Sequence, residues 1–316
     1  MPYTMDASVI EVQSLYYQNA HAGCVALAQK HAPNGVMDDT SLLILVYAAR
    51  AALAMGDIAG ARKLLGDDAE QPVAMSVLLL ADFYEMKRAG DEDGCGDVVE
   101  QLTMLLDVVE PGELSSEIVR YQVGLALYEH GDAQKALETL GVTGAGGSTE
   151  LECIALGVHI LLAIHRIDLA EKEYLLAQQQ NDDSILVQYM EAWIGLVRGG
   201  RATQQAYYVY DEMSQNSMIG QTPNMAPSLV GKAVAQAAQD HLSNASGTLH
   251  EALALDPANT LALANQAVAK SLDSETGVPE ADAAANLYAT TEPASALALL
   301  WDSKRRELAE AVAALA

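Results

Sequence analysis

The chain has 316 residues, of which 17 are basic and 43 acidic, so its formal net charge at neutral pH is −26. Such an acidic surface repels the phosphates of nucleic acids and of anionic lipids, and we expect no direct binding to either. Hydrophobic residues make up 51% of the chain and aromatic ones only 5%, and strand-like alternation is scarce, which favours an all-helical protein.

Signals for secretion and membrane insertion are absent from the sequence pattern. No Lys or Arg precedes Lys30, so the start of the chain lacks the basic region of a signal peptide. The longest apolar run, Leu42 to Ala49, is too short to cross a bilayer. The three cysteines, Cys24, Cys95 and Cys153, have no CxxC spacing, and we expect buried free thiols in a cytoplasmic protein.

Pairs of helical segments follow one another along the chain, and the second segment of each pair begins near a small residue after a short turn. The turns are at 19–24, 56–61, 131–136, 165–170 and 199–206, after apolar helices predicted over 7–17, 42–55, 116–130, 151–164 and 186–198. One more pair is predicted over 73–88 and 97–107, with Gly94 and Gly96 in its turn.

The small residues recur at a regular interval. They are Cys24, Ala61, Ala136, Ala170, Ala206 and Ala245. Their spacings are 37, 75, 34, 36 and 39 residues, and the value of 75 corresponds to two repeats. A period in the mid-thirties indicates an array of helical hairpins, because one hairpin cannot bury its apolar faces alone.

The segment from Ala226 to Thr260 shows the repeat most completely. Ala233 and Ala245 are small where two antiparallel helices cross, and Pro257 follows the second helix, whose hydrogen bonding it cannot continue. This is the tetratricopeptide pattern, a 34-residue helix–turn–helix.

An eighth pair is predicted over 261–272 and 279–288, followed by a last helix over 293–315 with an apolar stripe. We therefore predict an all-α, tetratricopeptide-like α-solenoid of about eight helix hairpins, a right-handed superhelix with a C-terminal capping helix. The solenoid is predicted over residues 1–292 and the capping helix over 293–316 of the same domain. The breaks at 141–148 and 216–224 do not separate unlike compositions.

No catalytic constellation emerges from the sequence. The stretch from Asp91 to Gly96 resembles the start of a calcium loop, but Cys95 and Leu102 stand where the loop needs oxygen ligands, which favours a plain polar turn. The Gly-rich stretch 144–149 lacks the third glycine of a dinucleotide loop. We predict no enzyme, no metal, no cofactor and no small-molecule substrate.

The positive signal for function is a set of apolar and aromatic residues at repeat positions that face the concave side of such an array. The predicted partner-binding residues are Val46, Arg50, Tyr121, Leu125, Tyr128, His159, Leu162, Tyr189, Trp193 and Val234. Tyr189 and Trp193 lie four residues apart on one helix face. The alternative, that these aromatic residues only pack between helices, remains open.

Several segments resemble the epsilon subunit of coatomer. They are 149–155, 160–162, 166–173, Tyr189-Met190-Glu191-Ala192-Trp193-Ile194, Gly199-Gly200, and the stretch from Gln205 to Met213. Within the last of these, the order Ala-Tyr-Tyr-Val-Tyr is unusual for generic tetratricopeptide proteins. The resemblance is carried chiefly by residues 151–272.

This resemblance implies a non-catalytic structural subunit of the COPI vesicle coat, cytoplasmic and peripheral on Golgi membranes and COPI-coated vesicles. It implies that the superhelix wraps the C-terminal region of the alpha coatomer subunit, contacts the other subunits through it, and supports retrograde Golgi-to-ER and intra-Golgi transport. The membrane would be reached only indirectly, through these partners.

A generic adaptor of the chaperone type, which clamps the C-terminal carboxylate of a different partner, is the alternative. That mode of binding needs basic side chains in the groove, and Arg50 is the only clear basic residue at a concave position.

Overall fold

The computed structural model describes residues 6–66, 69–110, 112–142, 150–215, 225–273, 278–291 and 295–315. Within these ranges the chain forms α-helices and one short 3-10 turn, and no strand occurs in them, which confirms the all-α prediction. The Gly-rich stretch 143–149 and the loop 216–224 lie outside the described residues.

The helices divide between two compact units, unit 1 over Met1–Arg198 and unit 2 over Gly199–Ala316. The helices of unit 1 are α1 (Ala7–Tyr17), α2 (His21–His31), α3 (Asp39–Ala54), α4 (Ile58–Leu65), α5 (Pro72–Ala89), α6 (Glu92–Met104), α7 (Leu114–Glu129), α8 (Ala133–Leu140), α9 (Leu151–Ala163), α10 (Ile167–Gln180) and α11 (Ile185–Arg198). Those of unit 2 are α12 (Ala202–Ser214), α13 (Ala226–Ala238), α14 (Leu242–Leu255), α15 (Thr260–Leu272), α16 (Val278–Thr291) and α17 (Ala296–Leu315). The division into one solenoid and a capping helix of the same domain stays a prediction.

Six hairpin turns share one backbone geometry. In each, the first helix is followed by a residue with a positive φ, and these residues are Asn19, Gly56, Gly90, Gly131, His165 and Asp240. The next amide then donates to the carbonyl five residues earlier, as from Asp57 to Ala52 at 2.9 Å and from Asp132 to Leu127 at 2.9 Å. This is the Schellman ending of a helix, which satisfies a carbonyl left free by the last turn. Glycine occupies three of the turns because it adopts a positive φ without steric cost.

An aspartate caps the second helix in three of these hairpins. The carboxylate of Asp57 accepts from the amide of Gly60 at 2.8 Å, and those of Asp91 and Asp132 accept from the amides three residues later at 3.0 Å. Because each cap satisfies an unpaired amide of the first turn, the helix begins directly after it.

The prediction for the start of α6 was wrong. The helix begins at Glu92 and not at 97, so Gly94 and Gly96 lie inside it and the turn is at Gly90. The reason is the cap by Asp91, which starts the helix despite the two glycines. The stretch that resembled a calcium loop is thus the capped first turn of α6. Cys95 then takes the small position missing from the predicted series.

The small residues predicted at the helix crossings are buried. The exposed fraction is 0% for Cys24, Ala61, Ala136, Ala170, Ala206 and Ala245. All three cysteines are buried free thiols, as predicted. Helix crossings with small side chains therefore recur through both units, as the repeat spacing requires.

The predicted apolar stripe of α17 is largely exposed. Leu300, Leu308 and Val312 are 56–66% exposed, whereas Ala298 is buried. Of the basic residues on this helix, Lys304 pairs with Glu307 at 2.8 Å, and Arg305 donates to the side chain of Asn286 on α16 at 2.6 Å. Within the described ranges, no helix is long and apolar enough to cross a membrane.

Candidate partner-binding surface

The first helices of the hairpins carry an equivalent residue six positions before the positive-φ residue of the turn. In unit 1 this residue is Gln13, Arg50, Tyr84, Leu125 or His159, and in unit 2 it is Val234. Gln13 and Tyr84 were missed by the sequence analysis. Tyr84 was missed because the turn of its hairpin was predicted at Gly94 and Gly96. The turn is at Gly90, and the residue six positions before Gly90 is Tyr84.

Arg50 on α3 and Glu152 on α9 form a buried ion pair. Nη2 of Arg50 lies 2.9 Å from Oε1 of Glu152, and Nη1 lies 3.1 Å from Oε2. The two side chains are only 1% and 5% exposed. Burial disfavours the charge on Arg50, but the carboxylate of Glu152 offsets it, so that the pKa of the guanidinium is raised. The guanidinium of Arg50 therefore stays charged, and the pair joins two hairpins that are far apart in sequence.

Three tyrosine rings surround this guanidinium. Its central carbon lies 4.6 Å from the ring centre of Tyr16, 5.2 Å from that of Tyr47 and 4.8 Å from that of Tyr121. These distances are within the range of cation–π contacts. Burial raises the pKa of each of these phenols, so the rings stay neutral around the charge. We call Tyr16, Tyr47, Arg50, Tyr121 and Glu152 the Arg50 cluster.

The first helix is bound to this cluster by a second polar contact. The side-chain amide of Gln13 on α1 donates to the hydroxyl of Tyr47 at 2.7 Å and to that of Tyr17 at 2.9 Å. Both Gln13 and Tyr47 are buried. The Arg50 cluster therefore connects α1, α3, α7 and α9.

Four of the predicted residues form a continuous series of rings across α7, α9 and α11. Tyr128 meets His159 edge to face with ring centres 5.8 Å apart, and His159 meets Trp193 at 5.9 Å. Trp193 stacks on Tyr189 at 6.1 Å with an angle of 11° between the rings. We call these four residues the aromatic ladder. Contacts of this kind between neighbouring helices hold the rings in defined orientations.

The aromatic ladder is partly open to solvent. His159 is exposed, Tyr128 and Trp193 are half-buried, and Tyr189 is buried. Partial burial lowers the pKa of His159, and the nearby carboxylate of Glu129 offsets only part of this effect, so the imidazole is neutral at neutral pH. The ladder thus presents rigid, uncharged rings that a partner can cover.

The other predicted residues differ in their accessibility. Val46 is fully buried, Leu162 is 9% exposed and Leu125 is half-buried. Val234 is half-buried on α13 of unit 2. Their contribution to partner binding stays a prediction.

Metal-ligand geometry is not found at this surface. Across the parts of the chain that the structure describes, no group of three or more His, Cys, Asp or Glu side chains could hold a metal ion. Unit 1 has a partly exposed row of aromatic rings, and two of the helices that carry it also contribute to the buried, ion-paired Arg50 cluster. That arrangement suits the binding of a polypeptide segment.

Comparison with known proteins identifies relatives of this chain. A family model described as the coatomer epsilon subunit matches residues 6–307. Coatomer subunit epsilon-2 of Oryza sativa subsp. indica is 30% identical over 254 residues, which cover 80% of this chain and 78% of that protein. Coatomer subunit epsilon-2 of Arabidopsis thaliana is 36% identical over 131 residues, 42% of each chain. These matches confirm the family resemblance found in the sequence.

Solved structures of tetratricopeptide type share the fold. A chain of the APC/C hetero-tetramer Cut9-Hcn1 superposes with a TM-score of 0.63 at 9% identity over 92% of this chain. The present chain spans about half, 54%, of the length of that one. A tetratricopeptide repeat protein from Parabacteroides merdae gives a TM-score of 0.51 at 13% identity, with 79% of this chain and 91% of that chain covered. At such low identity the likeness concerns the fold alone.

Proposed function

We propose that this chain, which belongs to the coatomer epsilon subunit family, binds the C-terminal region of the alpha coatomer subunit through its aromatic ladder. Members of this family are structural components of the COPI vesicle coat. In our proposal the chain has no catalytic role, acts in the cytoplasm, and reaches Golgi membranes and COPI-coated vesicles only through coatomer. It would support coat assembly in retrograde Golgi-to-ER and intra-Golgi transport.

The partial exposure of the aromatic ladder is the observation that supports this proposal. Interfaces between proteins are rich in aromatic side chains at their centres, and such side chains dominate the binding energy. The rings of Tyr128, His159 and Trp193 are held by one another and keep accessible faces or edges. A ligand segment that covers them would lose little entropy by ordering the rings, because they are already ordered.

The chaperone-type adaptor is the less favoured alternative. Clamping a C-terminal carboxylate requires free basic side chains in the groove. The guanidinium of Arg50, the one predicted candidate, is engaged by Glu152 and surrounded by tyrosine rings. A foreign carboxylate would have to displace a buried partner, which is unfavourable.

Calorimetric titration of the full chain with the C-terminal region of the alpha subunit tests the proposal. We expect Trp193→Ala to weaken binding by about 2 kcal/mol or more, as truncation of aromatic anchors usually does. Binding should change little between low and high salt, because the ladder is uncharged. Tyr121 is a poor choice for this test, since its ring covers Arg50 and its removal would disturb the core.

Tyr208→Ala is the matched control for the titration. Tyr208 is an aromatic residue that is 57% exposed on α12 and is not part of the aromatic ladder. Its truncation should leave the affinity unchanged. Equal affinities of the parent and Trp193→Ala would show that the ladder only packs, and no binding of the parent at all would refute the proposed partner.

A further inference from the structure

The N-terminal hairpin contacts the aromatic ladder directly. The side-chain amide of Asn19, in the turn between α1 and α2, donates to the hydroxyl of Tyr189 on α11 at 3.3 Å. These residues are 170 positions apart in the chain. Tyr189 in turn stacks on Trp193, so the ring of Tyr189 lies between the side-chain amide of Asn19 and the half-buried indole of Trp193. The contact therefore links the turn between α1 and α2 to a ring of the ladder.

The same hairpin is attached to unit 1 at a second place. Tyr16 lies against the guanidinium of Arg50, and Gln13 donates to the hydroxyl of Tyr47. Glu152, the partner of Arg50, is on α9, the helix that also carries His159. The hairpin thus reaches two of the ladder's helices by separate contacts, α9 through the Arg50 cluster and α11 through Asn19.

From these contacts we infer that the α1–α2 hairpin positions the aromatic ladder for its partner, with Asn19 as a positioning residue that sets the orientation of Tyr189 and Trp193. The part of this inference that concerns partner binding rests on the proposed function. By linkage, a partner on the ladder must stabilise the docking of the hairpin by as much as the docked hairpin strengthens the binding of the partner.

The backbone at Asn19 makes a clean test possible. Its φ is 59°, in the left-handed region that glycine adopts without strain. Asn19→Gly therefore removes the amide that reaches Tyr189 and preserves the turn. Asp240→Gly is the matched control, because Asp240 has a φ of 65° at the equivalent place in the hairpin of α13 and α14.

Trp193 itself can report on the position of the ladder. The chain has two tryptophans, so Trp301→Phe leaves Trp193 as the single fluorescent indole. In that background we expect Asn19→Gly to shift the emission to longer wavelength and to raise the constant for quenching by acrylamide, because a less ordered Trp193 is more open to water. Asp240→Gly should leave both unchanged.

The coupling to the partner is measured in the same full-length chains. We expect Asn19→Gly to weaken binding of the C-terminal region of the alpha subunit about 2- to 10-fold, the usual range for one hydrogen bond. Addition of that region to the parent should slow amide exchange over residues 7–17 and leave residues 260–272 unchanged.

Failure of this inference can be distinguished from failure of the proposed function. If the Trp193 emission and quenching of Asn19→Gly match those of Asp240→Gly, the hairpin does not position the ladder. If the Trp193 signal changes but the affinity does not, positioning has no role in binding and the inference is equally overturned. If the parent itself does not bind, the proposed partner is wrong, and the fluorescence of Trp193 still decides whether Asn19 positions the ladder.

Discussion

Arg50 and Glu152 lie 102 residues apart in the chain, yet their side chains meet in a bidentate ion pair inside unit 1. Removing two charges from water is costly, and the attraction between them compensates only when the geometry is good and further contacts are made. Here the tyrosine rings of the Arg50 cluster provide those contacts. The pair therefore bridges two hairpins that are distant in the chain, and its loss is the subject of the first prediction.

Removal of one member of the pair should be far more harmful than removal of both. We expect Arg50→Met to lower the free energy of unfolding by about 3–5 kcal/mol, because it leaves the carboxylate of Glu152 buried without a partner. The double variant with Glu152→Met leaves no buried charge and should regain most of this loss. Urea unfolding of the two single variants and the double variant measures the coupling. Additive losses would show that the two side chains do not act as a pair.

A second prediction concerns the crossing of α13 and α14. Ala245 is 0% exposed where the two helices meet, so Ala245→Trp should separate them and cost roughly 1–3 kcal/mol or more through overpacking. Ala254 is exposed on the same helix, and Ala254→Trp serves as the control with little expected effect. Thermal unfolding followed by circular dichroism compares them. Equal midpoints for both variants would mean that Ala245 is not at a helix crossing.

A third prediction concerns two glycines of unit 2, whose replacement by alanine should change the free energy of unfolding in opposite directions. A Cβ at Gly231 on α13 would collide with the ring of Tyr210 on α12, whereas a Cβ at Gly247 on α14 would meet nothing within 4 Å. We expect Gly231→Ala to destabilise the chain by roughly 1–3 kcal/mol through overpacking. Gly247→Ala should stabilise it by about 0.5–1 kcal/mol, the usual gain when alanine replaces glycine within a helix.

Chemical denaturation of these two variants beside the parent provides the measurement. If Gly231→Ala were stabilising like Gly247→Ala, the close approach of Tyr210 to the backbone of α13 would be refuted. The comparison is matched, because both substitutions add the same methyl group to a helix of the same hairpin.

Much of the fold could be predicted from local features of the sequence. Small residues at crossings and glycine- or aspartate-containing turns act within a single hairpin, and the turns placed the ends of α1 and α11 at the observed residues. The start of α6 was missed because glycine is common both in turns and at helix starts, and only the capping geometry of Asp91 distinguishes the two.

The long-range contacts could not be predicted in this way. Tyr128, His159, Tyr189 and Trp193 were predicted as partner-binding residues, and the structure brings them together in one ladder. Arg50 was predicted as well, but nothing near Arg50 in the chain indicates that Glu152 binds it, because that contact depends on how successive hairpins stack. A buried ion pair between distant repeats depends on how all the hairpins between them stack, and residue spacing in the sequence does not predict that stacking.

The last prediction is a pH dependence that originates at His21. This residue begins α2, its ring centre lies 5.8 Å from that of Tyr16, and its Nδ1 is buried with no hydrogen-bond partner among the described atoms. Burial lowers the pKa of His21 to about 4, against an ordinary value of 6.5. Between these two values the unfolded chain binds a proton at His21 that the folded chain does not bind. The stability from this site is therefore fully present above pH 6.5 and is lost as the pH falls towards 4.

His21→Phe keeps a ring and removes the titration. Between pH 7 and pH 5 the parent should lose about 1–3 kcal/mol more of its free energy of unfolding than this variant, since each unit of pKa shift corresponds to about 1.4 kcal/mol. His250→Phe, at an exposed histidine on α14, is the control for replacing a helical histidine by phenylalanine. Urea titrations at a series of pH values compare the free energies of unfolding of the three chains. The difference between the parent and each variant removes the effect of the many carboxylates, because all three chains share them. Parallel curves for the parent and His21→Phe would show that His21 is protonated equally in the folded and unfolded chains.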